Sequence, residues 1–238
     1  MSLIVLVSGF LRGLTGFGFA IAATPLLSTL VSPAQAVPLV LLLQLAFGLI
    51  DARSAWREAH RTPFKALVVG VVVGTPVGMV LLRALPLSID RLIVAGAAAL
   101  SLASVLLSDR RFIDRLTASA PVVGLLSGVL NGLAAMPGPP VSAHFLNAPI
   151  TAASARASLI VFFTITALVG AVTSLALGLM TPQALVSALI CTPCLVAGNW
   201  AGTQLFRRGD ERLFRAVAIS ALSISVAAAA WRGLSGFR

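Results

Sequence analysis

The chain has 238 residues, of which 58% are hydrophobic and only 10% charged, with a mean hydropathy of +1.03. A soluble domain carries about 25% charged residues to clothe its surface, so this composition excludes a water-soluble fold and calls for an all-α integral membrane protein. The net charge of +10 does not point to nucleic acid: the arginines cluster in short links, where positive charge sets membrane orientation, and no basic stripe with interleaved aromatics occurs.

The first apolar segment, 2–31, is about 30 residues long, or roughly 45 Å if helical. That is long for one crossing of a ~30 Å core and short for two. It opens in a glycine ladder, Ser8-Gly9-Phe10-Leu11-Arg12-Gly13-Leu14-Thr15-Gly16-Phe17-Gly18, and carries Pro25. Segments 36–50, 64–85 and 92–107 follow, each suited to a single helical span. The link 51–65 between the first two of these holds Arg53, Arg57, Arg61 and Lys65. A basic linker, 109–118, then joins the halves, dividing the chain into an N-terminal transmembrane repeat (1–108) and a C-terminal one (119–238).

The fifth segment, 119–149, is again about 30 residues and again interrupted, by Pro137-Gly138-Pro139-Pro140 and Pro149. Proline removes an amide donor and clashes with the preceding turn, so this run cannot be continuous helix. Segments 157–180, 183–206 and 213–231 complete the second half. With an offset of 119 and no gap, residues 8–36 align with 127–155 at eight identities in 29 pairs, among them Gly9/Gly128 and Gly13/Gly132. Further on, Gly74-x3-Gly78 echoes Gly198-x3-Gly202 at a slightly different offset. The fold expected is therefore two homologous four-segment repeats, the first segment of each a broken or re-entrant helix. Re-entrant hairpins would invert the halves and put the basic links 51–65, 109–115 and 207–215 on one side, as the positive-inside rule requires.

Duplicated hydrophobic segments interrupted by glycine and proline mark the binding site of secondary transporters. Half-helix N-termini carry unpaired amides and a positive dipole, and glycine lets a ligand approach that backbone closely. Gly13, Gly16, Gly18, Gly132 and Gly138 are thus candidate substrate-binding positions, with Thr15 and Asn131 as neutral donors. Arg12, whose repeat mate is Asn131, would neutralise an anion. His144 is the histidine nearest a broken segment and would titrate near neutral pH. The same glycines also serve tight helix packing, and the two roles are compatible.

All seven acidic residues, Asp90 among them, fall in links by this reading. Cation carriers and carboxylate proton relays place acids within the membrane, so an anionic substrate is expected and a carboxylate proton shuttle is not. Cys191-Thr192-Pro193-Cys194 has redox-like spacing, but apolar surroundings make thiols inert. No catalytic set, metal-ligand spacing or cofactor motif is found, so neither a metal nor a cofactor is expected. A passive anion channel is the second reading and a thiol-dependent intramembrane enzyme the third.

At the ladders, through Gly9-x3-Gly13-x2-Gly16-x-Gly18, Pro25, Ser32-Pro33-x2-Ala36 and the degenerate second copy, the chain resembles the sulfite exporter TauE/SafE family, also called the 4-toluene sulfonate uptake permeases. In the second copy Ala135 and Pro137 replace two ladder glycines. The resemblance covers essentially the whole chain. It implies a multi-pass transporter of the bacterial inner membrane, moving sulfur-containing or organic anions of the sulfite, sulfonate or sulfoacetate type. The partners expected are the small anion and membrane lipid, not nucleic acid, and the Gly-x3-Gly faces permit a homo-oligomer.

Overall fold

The structure, a computed structural model, describes residues 1–15, 18–60, 62–106 and 119–206, with four further positions, 220, 223, 227 and 231. Among the described residues it holds nine α-helices and no strand: α1 (Ser2–Thr15), α2 (Phe19–Leu27), α3 (Pro33–Glu58), α4 (Phe64–Ala84), α5 (Leu87–Leu106), α6 (Ala120–Ala134), α7 (Gly138–Asn147), α8 (Ala152–Ala176) and α9 (Pro182–Phe206). Within α3, α4, α8 and α9 lie apolar stretches of 18 to 24 residues, long enough to cross a bilayer. The linker 109–118 and the body of the expected last segment, 213–231, lie outside the described residues.

Both unusual segments are interrupted. The first ends its helix at Thr15 and restarts at Phe19; the second ends at Ala134 and restarts at Gly138. These boundaries, like the starts of α3 at Pro33 and α8 at Ala152, stand 119 residues apart. At 1.5 Å per residue, α1 (14 residues) and α6 (15 residues) are only about 22 Å long and fall short of a membrane core by themselves.

Local chemistry explains the restart of the first segment and the stop of the second. Gly18 caps α2 with φ 102°, a left-handed conformation that costs glycine nothing. Ala135 takes the same region at φ 57°. Its amide donates to the Asn131 carbonyl and the Met136 amide donates to that of Leu130, the Schellman-like wrap that closes a helix end. Pro137 follows at once and cannot continue the old helix.

Three helix pairs organise the bundle: α1 on α9, α4 on α6, and α3 on α8. The first two are glycine seams. A Cβ on Gly13 would strike the Asn199 carbonyl, and one on Gly202 the Phe10 carbonyl. In the other seam Gly74 lies against the Leu125 carbonyl, Gly78 against that of Val129, and Gly132 against that of Thr75. Contacts rise in step along both chains, so each pair runs parallel. Lipid supplies no hydrophobic drive between helices, and close backbone approach through small residues supplies the attraction instead. The large residues of α4 face the other way: Val69, Val72, Val73, Val77 and Val80 are exposed, as lipid contact requires.

The helices α3 and α8 run antiparallel. The Ser154 hydroxyl donates to the Glu58 carbonyl at 2.8 Å, and the His60 amide donates to the Ser158 hydroxyl at 2.8 Å. At the opposite end, the Arg83 guanidinium donates to the Leu177 carbonyl at 3.0 Å.

Two boundaries differ from the sequence reading. The helix α3 outruns its apolar stretch by two turns and carries Asp51, Arg53, Arg57 and Glu58. These side chains are compatible with helix, and charge alone does not end one. The helix α5 starts at Leu87, five residues before the apolar run 92–107, so Asp90 lies in its first turn rather than in a link, and it is 4% exposed.

Candidate functional site between the two helix breaks

The breaks converge on the middle of α3. Gln44 is buried, and its Nε2 donates to the Ala135 carbonyl at 3.0 Å, pinning the second break to α3. Phe47, three residues on and so on the same face, receives the Arg12 guanidinium 4.2 Å from its ring centroid. A cation–π contact of this kind holds a guanidinium in place without neutralising it. Arg12 lies in the last turn of α1, immediately before the first break. Leu133, Ala134, Ala135 and Met136 share one buried cluster with Leu11 of α1 and most of α2.

Asn131, 119 residues after Arg12, stands at the matching place on α6. Asn131 is fully buried; its Nδ2 donates to the Thr166 carbonyl at 2.9 Å and reaches the Thr75 hydroxyl at 3.4 Å. Thr166 stands 119 residues after Phe47, so Arg12 and Asn131 reach equivalent points on α3 and α8. Asn131 Oδ1 has no protein partner, nor has Ser127 Oγ one turn earlier, nor the latter's mate Ser8 Oγ. Buried polar atoms are normally satisfied, and these sit on α1 and α6 within two turns of the breaks.

The two restarted helices do not present equivalent amide ends. The first turn of α2 offers the amides of Phe19, Ala20 and Ile21. In α7 the corresponding residues are Gly138, Pro139 and Pro140, so only Gly138 has an N–H to offer. A Cβ on Gly138 would meet only Phe163 Cζ at 3.8 Å, an ordinary contact.

The remaining candidates are placed as follows. Gly13 and Gly132 lie in the helix seams described above, and Gly18 caps α2. Gly16 lies outside the described residues, as does the side chain of Thr15. His144 is in the last turn of α7, roughly 9 Å along the axis from Gly138. Its ring stands edge-on to Phe145 at 5.6 Å, and Phe145 continues to Phe64 and Trp56. That cluster joins the ends of α3, α4 and α7, away from the break. Cys191 and Cys194 are free thiols, and Cys191 Sγ is 3.9 Å from Ser2 Oγ.

Sequence reasoning passed over Gln44 and Phe47 as site residues. Gln44 carried a signal, a lone amide in an apolar span; Phe47 carried none. Asp90 was misassigned because its helix begins ahead of its hydrophobic run.

The family model for the sulfite exporter TauE/SafE matches residues 1–229. No curated protein and no solved structure matches the chain. The chain belongs to the TauE/SafE family, a family of membrane transporters.

Proposed function

We propose that this member of the TauE/SafE family is a secondary transporter that moves a small sulfur-containing or organic anion by alternating access, binding it between the two helix breaks. The observation that carries the reading is the convergence of both breaks on one turn of α3, with Arg12 at the inner end of α1. The amides of Phe19, Ala20 and Ile21 and the Arg12 guanidinium would hold the anionic group, and Asn131 and Gln44 would orient its surroundings. Thr15, Gly16, Gly18 and Gly138 belong to the same proposed lining; Gly13 and Gly132 hold the seams behind it. His144, in the aromatic cluster at the far end of α7, stands apart from this lining.

The geometry also supports re-entrant hairpins and an inverted repeat. The starts of α6 and α4 lie together in their parallel seam, where Gly70 meets Pro121. The end of α7 returns to that same end, with Phe145 beside Phe64 at 5.9 Å. The α6–α7 unit thus enters and leaves on one side. By the antiparallel pairing of α3 and α8, the α1–α2 unit does so on the other. The ends of α3 and α9, which lead into the basic stretches of the sequence, then share a side, which positive charge assigns to the cytoplasm. The bacterial inner membrane is the location consistent with this.

The test is counterflow in proteoliposomes loaded with unlabelled anion and offered labelled sulfite, methanesulfonate, sulfoacetate or a carboxylate. Saturable exchange with at least one of them is expected. A channel would give saturation-free, voltage-driven flux without counterflow, and uptake of a cation with no anion exchange would overturn the reading.

A further inference from the structure

The carboxyl of Asp90 is the buried acid of the described chain, and the transport site alone gives it no role. It heads the inward stripe of α5, where Val94, Ala97, Ala98 and Ser101 are also buried. This helix packs against α2, α6, α7 and α3, touching both restarted helices. Asp90 Oδ1 has no hydrogen-bond partner.

Among the described residues, no cation of the elements packed against α5 is placed to neutralise it. The helices α2 and α6 contain no titratable side chain. Those of α3 all lie in its last two turns, and α7 has only His144 in its final turn. Arg91 follows Asp90 directly, and adjacent residues of a helix point apart; its Nε is itself buried without a partner. Arg83, on α4, is engaged with the Leu177 carbonyl.

We propose that Asp90 is a proton-binding site coupled to anion occupancy, so that proton and anion bind together and cross together. The inference rests on the transporter reading above. The reasoning is electrostatic. A carboxylate at the head of α5 repels an anion at the amide end of the neighbouring α2, and protonation removes that repulsion. The helix α5 begins just after α4 ends beside Leu177, at the end of the bundle where α2 leads into α3, so the nine residues of α2 set an axial separation on the order of 13 Å. Across such a distance at an effective dielectric near 20, one charge changes anion affinity about tenfold. Linkage makes the effect reciprocal: bound anion raises the proton affinity by the same factor. Burial also pushes the Asp90 carboxyl up to about 7, where a physiological gradient would load and unload it.

The experiment uses the full chain in proteoliposomes with labelled methanesulfonate, which stays ionised throughout the range tested. Half-saturation for counterflow is measured between about pH 5.5 and 8.5 for the wild type, Asp90→Asn, Asp90→Glu and His144→Gln. The wild type is expected to bind about tenfold more tightly at the acid end and to accumulate anion when the proton gradient points inward. Asp90→Asn should lose both the pH slope and the gradient-driven accumulation, while Asp90→Glu keeps a slope with a displaced midpoint. A flat wild-type profile, or a slope that survives in Asp90→Asn, overturns the proposal, and loss of that surviving slope in His144→Gln would move the proton site to the histidine. If Asp90→Asn does not fold, the wild-type and Asp90→Glu profiles decide it. Absence of counterflow for every anion tested instead fails the transporter reading. In that case a melting temperature that falls as pH rises from about 4 to about 7 in the wild type, with a displaced midpoint in Asp90→Glu, keeps the proton site, and a flat profile overturns it.

Discussion

Replacing Gly132 by alanine tests whether the seams hold the protein together. A Cβ there would lie against the Thr75 carbonyl, 2.7 Å from the Met79 amide nitrogen and 2.9 Å from the Gly78 carbonyl carbon. These are backbone atoms of α4 and cannot rotate away, so the two helices must separate along several turns. Overpacking of a tight core costs about 1–3 kcal/mol, and a clash with backbone belongs at the upper end. Alanine's better helix propensity returns about 1 kcal/mol. The net expectation is a loss of about 2 kcal/mol. Gly96 supplies the control, since a Cβ there meets nothing within 4 Å; Gly96→Ala should keep the propensity gain of up to about 1 kcal/mol. The two variants should therefore differ by about 3 kcal/mol, which for a chain of this size is a gap of about 6–12 °C in melting temperature in one detergent. Equal melting temperatures would refute the claim that close backbone approach between α4 and α6 stabilises the fold.

Other outcomes follow from single residues. Arg12→Gln removes one charged donor, worth about 1.5–3 kcal/mol to a bound anion, and should weaken half-saturation in counterflow roughly 10- to 100-fold with little change in melting temperature. Ala135→Gly relieves a left-handed alanine, worth about 1–2 kcal/mol, against about 0.5–1 kcal/mol for glycine's greater chain entropy, and should raise the melting temperature slightly; a clear loss would show that the second break is not held in that conformation. Cys191→Ser with Cys194→Ser should leave counterflow near normal, and its abolition would revive thiol chemistry. Asp90 makes stability pH-dependent. Its carboxyl is held protonated to about 7 in the fold against 3.8 in the open chain, so the folded state binds more protons between those values and stability falls as pH rises from about 4 to about 7. Melting scans should show that decline in the wild type and a flatter profile in Asp90→Asn.

Composition by itself determined the solvent of this protein: with so few charges there is no way to cover a surface in water, and apolar run lengths fix where helices cross lipid. Proline and glycine determined where the first and fifth segments break, because missing amides and permissive φ act locally and do not depend on neighbours. The ladders of Gly9, Gly13, Gly128 and Gly132 were equally legible as a repeated feature. Their partners were not. That Gly13 meets Asn199 and Gly132 meets Thr75 follows from which helices pack side by side, and among interchangeable apolar helices in lipid that choice is made by shape alone. The same holds for Gln44 on the Ala135 carbonyl and for Arg12 over Phe47, contacts between residues whose spacing along the chain carries no periodic signal. Asp90 is the sharpest case. Its position beside an apolar run reads as a solvated link, and only the packing of α5 against α2, α6 and α7 takes it out of water.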